Sequence, residues 1–211
     1  IVDLERAFNV PFRVADIKEH NTVKLIEEFL ASSGETKEYA ILEDYPLTQT
    51  QMGIYIECST VPDAVTYNIP VMMKLSPALD MDKLESAIRK TLNAHPYTKA
   101  ILFADSEGNI RARRNDDAEP SVNRIKCAGI PSSEELVKPF RLIGEPLYRI
   151  TIYEAEDGNY LFMDFHHIIS DGMSENIIIS DIGKAYAGQE IPKERCTGFE
   201  AALDEEEGRA S

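Results

Sequence analysis

The chain has 211 residues, 43% hydrophobic and 28% charged, enough for one substantial core or one and a half small domains. Its formal charge of −15 opposes binding to nucleic-acid phosphates or to an anionic membrane surface. It contains no apolar run long enough to cross a bilayer and no basic-then-apolar leader, and Cys58, Cys127 and Cys196 are scattered in no metal-ligand spacing. A cytoplasmic protein with free thiols, and with neither nucleic acid nor membrane as partner, is therefore expected.

The chain opens within a helical pattern, Ile1, Leu4 and Phe8 lying on one face, and reads as a piece of a longer polypeptide. Pro11 ends that helix. Thr22 can cap a second one carrying Val23, Ile26, Phe29 and Leu30. Two short helices cannot bury a core alone. A polar linker over residues 32–44 follows, containing Ser32-Ser33-Gly34-Glu35.

From residue 45 the character changes. Thr48 is positioned to cap a helix with Met52, Tyr55 and Ile56 on one side. Asn68 to Leu75 reads as a strand, and Asp82 to Ala94 as a helix with Leu84, Ile88 and Leu92 inward, stopped at His95-Pro96. Lys99–Phe103 and Ile110–Arg114 flank a turn-rich Asp105-Ser106-Glu107-Gly108-Asn109, a hairpin pattern. Val122–Lys126 is a further strand, and Ser132 caps a short helix from Ser133 to Val137. Leu147–Glu154 turns through Ala155-Glu156-Asp157-Gly158-Asn159 into the alternating Tyr160–Phe165. The order helix, strand, helix, hairpin, short helix, hairpin, helix gives an α+β class, helices packed on a mainly antiparallel or mixed sheet. Gly188 and Pro192 stop the last helix, and the acidic run Asp204-Glu205-Glu206-Glu207 reads as a solvated end.

The Tyr160–Phe165 strand runs into His166-His167-Ile168-Ile169-Ser170-Asp171-Gly172, and a helix from Met173 to Tyr186 follows. Side chains where a strand ends and a helix begins sit on a rigid scaffold and stay open to ligand. On the residues alone, a histidine pair is as readily surface or satisfied core polarity, and Asp171 as readily a helix cap. A zinc site lacks a plausible third and fourth ligand, so no metal is expected.

This heptapeptide resembles the HHxxxDG signature of the condensation domains of nonribosomal peptide synthetases. Two further stretches resemble that family in the same order. Thr48-Gln49-Thr50-Gln51 is similar to its opening Ser/Thr-x-x-Gln, with Gly53 where an Arg is usual. His95-Pro96-Tyr97-Thr98-Lys99 is similar to its His-x-x-x-Arg, with Lys99 in place of the Arg. Leu4 to Val10 and Asp16 to Leu30 resemble the last half of a peptidyl carrier domain, whose phosphopantetheine-bearing serine would precede Ile1.

The resemblance implies a partial carrier domain at 1–31, the linker at 32–44, and the first lobe of a chloramphenicol-acetyltransferase-like fold at 45–211. It implies condensation-type acyl transfer from a phosphopantetheine thioester to an amine, with His167 catalytic and His166 structural. Asp171 is expected to pair with Lys99 beneath the loop, and Gly172 to leave room for backbone approach. Lysine keeps the charge of the Arg but loses its planar fork. The expected partners are donor and acceptor carrier domains, a second lobe and an adenylation domain. No cofactor is expected to be bound by this chain itself, the phosphopantetheine arm being a substrate carrier whose attachment serine lies elsewhere. Epimerisation or ester formation within the same family, and a non-catalytic docking module, are the alternatives.

Overall fold

A computed structural model describes residues 19–32, 41–194, 199, 200 and 203. The chain divides into two compact units, residues 1–40 and 41–211. In the first, helix α1 (Val23–Ser32) is capped as expected, the Leu25 N–H donating to Thr22 Oγ1 at 3.2 Å. Ile26 and Phe29 are half-buried, whereas Val23 is exposed. The expected helix over residues 1–8 lies outside the described residues.

The second unit runs from residue 41, and Asp44, the last residue of the expected linker, belongs to its first strand. Its elements are β1 (Asp44–Pro46), α2 (Gln49–Thr60), β2 (Asn68–Lys74), α3 (Met81–Ala94) and a 3-10 turn (Pro96–Lys99). There follow β3 (Ile101–Ala104), β4 (Ile110–Arg113), β5 (Asn123–Cys127), α4 (Ser133–Leu136), β6 (Tyr148–Ala155), β7 (Gly158–His166) and α5 (Gly172–Tyr186).

The strands form two sheets rather than one. The smaller has the order β1-β4-β3, all antiparallel. The larger has the order β2-β7-β6-β5, antiparallel except for the parallel β5–β6 pair. β6 and β7 form a hairpin whose register closes at Ala155 opposite Gly158. Gly158 has φ +138°, a backbone conformation that calls for glycine, and a Cβ there would come within 3.2 Å of the mobile end of the Lys74 side chain.

One core joins α3 and α5, which pack against each other, to the central strands. Leu84, Ile88 and Leu92 of α3, Ile178 and Ile182 of α5, Ile150 and Ile152 of β6 and Leu161, Met163 and Phe165 of β7 belong to it. These are the 3.6-residue and two-residue periods legible in the sequence. From Leu161 to His166, β7 is buried on both faces, which makes it the floor on which the histidine segment rests. Among the described residues, no helix is long and apolar enough to cross a membrane.

Candidate active site

The histidine pair sits at the end of β7, and the two side chains have opposite environments. His166 is the last residue of the strand and is 3% exposed, whereas His167 is exposed. The Ile168 N–H donates to His166 Nδ1 at 3.1 Å, so the neutral ring carries its proton on Nε2, which faces Cys58 Sγ at 3.7 Å. Burial first, then His167 and Arg149, lowers the His166 pKa to about 4. His166 is therefore a neutral, packed side chain.

A polar floor lies beneath it. Asp164, two residues back on the same strand face, is fully buried, its Oδ2 accepting from Asn68 Nδ2 at 2.7 Å and Arg149 Nη1 at 3.1 Å. Burial raises the Asp164 carboxyl, and Asn68 and Arg149 only partly offset the rise. Arg149 also donates to the carbonyls of Lys138 and Pro139, and its guanidinium stacks 3.7 Å from the Phe140 ring centroid. Phe140 in turn meets the His166 ring edge-on at 5.7 Å. One chain of contacts thus runs from β2 and β6 through the 138–140 segment to His166.

His167 is held by its backbone, and its side chain is exposed. Its N–H donates to the Tyr67 carbonyl at 2.8 Å, and the Tyr67 ring stands edge-on at 6.4 Å. Tyr67 is fixed by its own hydroxyl, which donates to Glu57 Oε2 at 2.6 Å. The loop is pinned from the other side by α2. Thr48 and Gln51 form the complete capping box, and Gln51 Nε2 reaches on to the Ile168 carbonyl at 3.0 Å and to the Tyr97 hydroxyl at 2.8 Å. On α2 itself Met52, Ile54 and Tyr55 pack against the core, while Ile56, expected on that side, is exposed.

The expected Lys99–Asp171 pair is not formed. Lys99 lies in the 3-10 turn before β3, not in the strand, and its ammonium donates to Asn93 Oδ1 at 2.9 Å, to the Ala118 carbonyl at 3.1 Å and to the Asp116 carbonyl. Burial lowers its pKa, against the pull of Asp116. A 4% exposed ammonium must spend its donors on near acceptors, and the 116–118 loop supplies them. Asp171 caps α5 instead, accepting from the N–H and the hydroxyl of Ser174, both at 2.7 Å. Burial alone would raise that carboxyl; the Ser174 and Met173 hydrogen bonds and the nearby His167 more than offset this and hold it below the usual range.

At Gly172, the first residue of α5, a Cβ would meet nothing within 4 Å, so the space beside it is open in this chain. Cys58 is half-buried, with its thiol raised by burial and by Glu57; Cys196 lies outside the described residues. Among the described residues, no cluster of histidine, cysteine and carboxylate side chains is arranged to hold a metal ion. Sequence reasoning missed Asn68, Arg149 and Phe140, none of which stands in a recognisable spacing to the histidines.

A sequence model of the condensation-domain family, described as "Condensation domain", matches residues 41–208. Among curated proteins, the chain is 30% identical over 198 residues to bacitracin synthase 3 of Bacillus licheniformis, covering 89% of this chain and 3% of that protein. It is 29% identical over 199 residues to gramicidin S synthase 2 of Aneurinibacillus migulanus, covering 90% and 4%. Among solved structures, the condensation domain from the monacolin K polyketide synthase MokA superposes with a TM-score of 0.71 at 18% identity, over 81% of this chain and 40% of that one. The X-domain from teicoplanin biosynthesis gives 0.67 at 18%, over 82% and 40%. The chain thus spans less than half of those domains and a small part of the synthetases.

Proposed function

Because the chain belongs to the condensation-domain family, we propose that residues 41–211 form the histidine-bearing lobe of an amide-forming acyltransferase. The observation that carries this reading is the split within the histidine pair. A buried neutral His166 fixes the end of β7, the adjacent His167 presents an exposed imidazole, and a Cβ at Gly172 in the same segment would meet open space.

The reaction is attack of a carrier-bound amine on a thioester carbonyl delivered by a second carrier, on phosphopantetheine arms. The C–N bond forms, the C–S bond breaks, and the amine proton ends on the departing sulfur. The thioester supplies the driving force, so the protein has to hold the two reactants and manage one proton. Imidazole, whose ordinary pKa is near 6.5, can accept that proton or orient the amine. The Tyr67 carbonyl, Gln51 and the Asp171 cap would fix the loop in the arrangement seen here, and Gly172 would leave room for an arm. The family's chloramphenicol-acetyltransferase-like architecture would place the substrates between this lobe and a second one, and residues 1–31 would be the end of the preceding carrier domain.

The test is amide formation by the two-lobed domain with loaded donor and acceptor carriers. His167→Ala is expected to lose most of the activity, on the order of 100-fold or more for a general base. His167→Ala with full activity would remove the assignment. Retained stereochemistry and a new amide in the product separate this reading from epimerisation and ester formation.

A further inference from the structure

The first turn of α5 carries a buried acid that is not its cap. Glu175 lies four residues beyond the Asp171 cap, its N–H donating to the Asp171 carbonyl at 3.0 Å, and it is 5% exposed. Its Oε1 is buried without a hydrogen-bond partner. On β7, Asp164 is in the same condition: its Oδ2 is spent on Asn68 and Arg149, while its Oδ1 is buried and unpartnered. Two carboxyl oxygens without a hydrogen-bond partner are therefore buried on the elements that flank the His166–Asp171 segment, one on β7 and one on α5, and Asp164 and Asp171 both act on Glu175 with like charge.

The charged and titratable groups of the neighbouring elements do not relieve it. From β7 and the cap come Asp164 and Asp171, both acting on Glu175 with like charge; burial raises the Asp164 carboxyl, whereas its hydrogen bonds hold the Asp171 carboxyl down. Arg149 of β6 is committed to Asp164, two carbonyls and the Phe140 face. His166 is kept neutral, and Tyr97, ahead of β3, is a phenol that burial pushes upward. His167 is exposed and lies near Asp171. None of the described cations pairs with Glu175, and an ionised carboxylate buried without a counter-charge is strongly disfavoured.

We propose that Glu175 is a positioning residue for the histidine loop: it is held as a neutral acid one turn after the Asp171 cap, and its ionisation sets a further negative charge beside Asp171 and Asp164 and loosens the backbone that presents His167. The consequence for the reaction rests on the acyl-transfer reading of this loop; the positioning itself does not. Burial, then Asp164 and Asp171, raises the Glu175 carboxyl from 4.5 to about 7. The folded protein therefore holds this proton more tightly than the unfolded chain. The resulting stabilisation is complete below the ordinary pKa of 4.5 and is lost as pH rises through about 7.

The experiment compares the 211-residue protein with Glu175→Gln, which keeps the shape and cannot ionise. Melting temperatures are read at about pH 5 and about pH 8.5, either side of the ionisation. The Gln variant should melt close to wild type at the lower pH and several degrees above it at the higher. A lower melting temperature than wild type at the higher pH, or a difference independent of pH, overturns the proposal. Amide exchange at Ile168 and Ile169, whose N–H groups bond His166 Nδ1 and the His166 carbonyl, reads the loop itself. In wild type these amides should lose protection as pH passes 7, beyond the intrinsic acceleration, and in Glu175→Gln they should not. Equal protection in both proteins overturns the positioning role. A carbon-13 titration of the wild-type Glu175 carboxyl does not depend on the variant folding; a midpoint near 4.5 overturns the proposal, and one near 7 supports it. None of these readings needs catalysis, so their failure is distinct from failure of the acyl-transfer reading.

Discussion

His166 and His167 differ by one position and by almost everything else. Strand alternation places His166 with Asp164, and the structure keeps them on one face above the Arg149 and Phe140 floor. The sequence could not say which face is covered, because β7 is buried on both from Leu161 onward and alternation then carries no hydropathy signal. With its pKa lowered from 6.5 to about 4, His166 favours the neutral folded state above 6.5, and that stabilisation is lost as pH falls toward 4. The expected outcome is a histidine resonance with the proton on Nε2 that does not titrate between pH 5 and 8, read by nitrogen-15 correlation; a midpoint near 6.5 would contradict the packing described. Lys99 gives a second prediction at this scale. With its ammonium on Asn93, Asp116 and Ala118 and not on Asp171, Lys99→Ala and Asp171→Asn should destabilise independently. Denaturant unfolding of the single and double variants should give costs that add to within about 0.5 kcal/mol. A coupling of 1 kcal/mol or more, on the scale usual for contacting pairs, would restore the ion pair expected from the sequence.

Among the elements, helix ends were the most legible part of the chain. Thr48, Asp171 and the His95-Pro96 stop are all where cap chemistry and proline sterics put them, because those signals are local. The second use of Gln51 was not legible. It closes the capping box and also donates to Ile168 and Tyr97, 117 and 46 residues away, and no local spacing encodes a partner so distant. The two roles separate by substitution. Thr48→Ala should cost about 1 kcal/mol, the usual worth of an N-cap. Gln51→Ala should cost more, roughly 2–3 kcal/mol, since it also leaves the Ile168 carbonyl unpaired beside the histidine segment. Equal costs in chemical denaturation would mean that the link from α2 to the loop contributes nothing. The same limit of local signals explains why the strands were found but their division into two sheets was not: strand order is set by packing between distant segments.

On the scale of the whole second unit, the parallel β5–β6 pair has an effect beyond sheet order. A parallel neighbour cannot be reached by a tight turn, so the chain must travel from one end of the sheet back to the other, here over residues 128–147. That return path lays Lys138, Pro139 and Phe140 across the polar face of β2, β6 and β7, where they receive Asn68 and Arg149 and meet His166. The path therefore has a loose end and a tight end. Two glycines inserted after Gly129, where a Cβ would meet open space, should change stability by less than about 1 kcal/mol, since loop closure depends only weakly on length. Phe140→Ala should cost about 3 kcal/mol or more in the same unfolding measurement and release the His166 ring, visible as a titration it did not show before. An insertion as costly as the truncation would refute that division. Sequence drift in this family member should then be tolerated at residues 128–131 and resisted at 138–140, so the span of a connection, and not only the identity of the histidines, limits how far the lobe can diverge and still present His167.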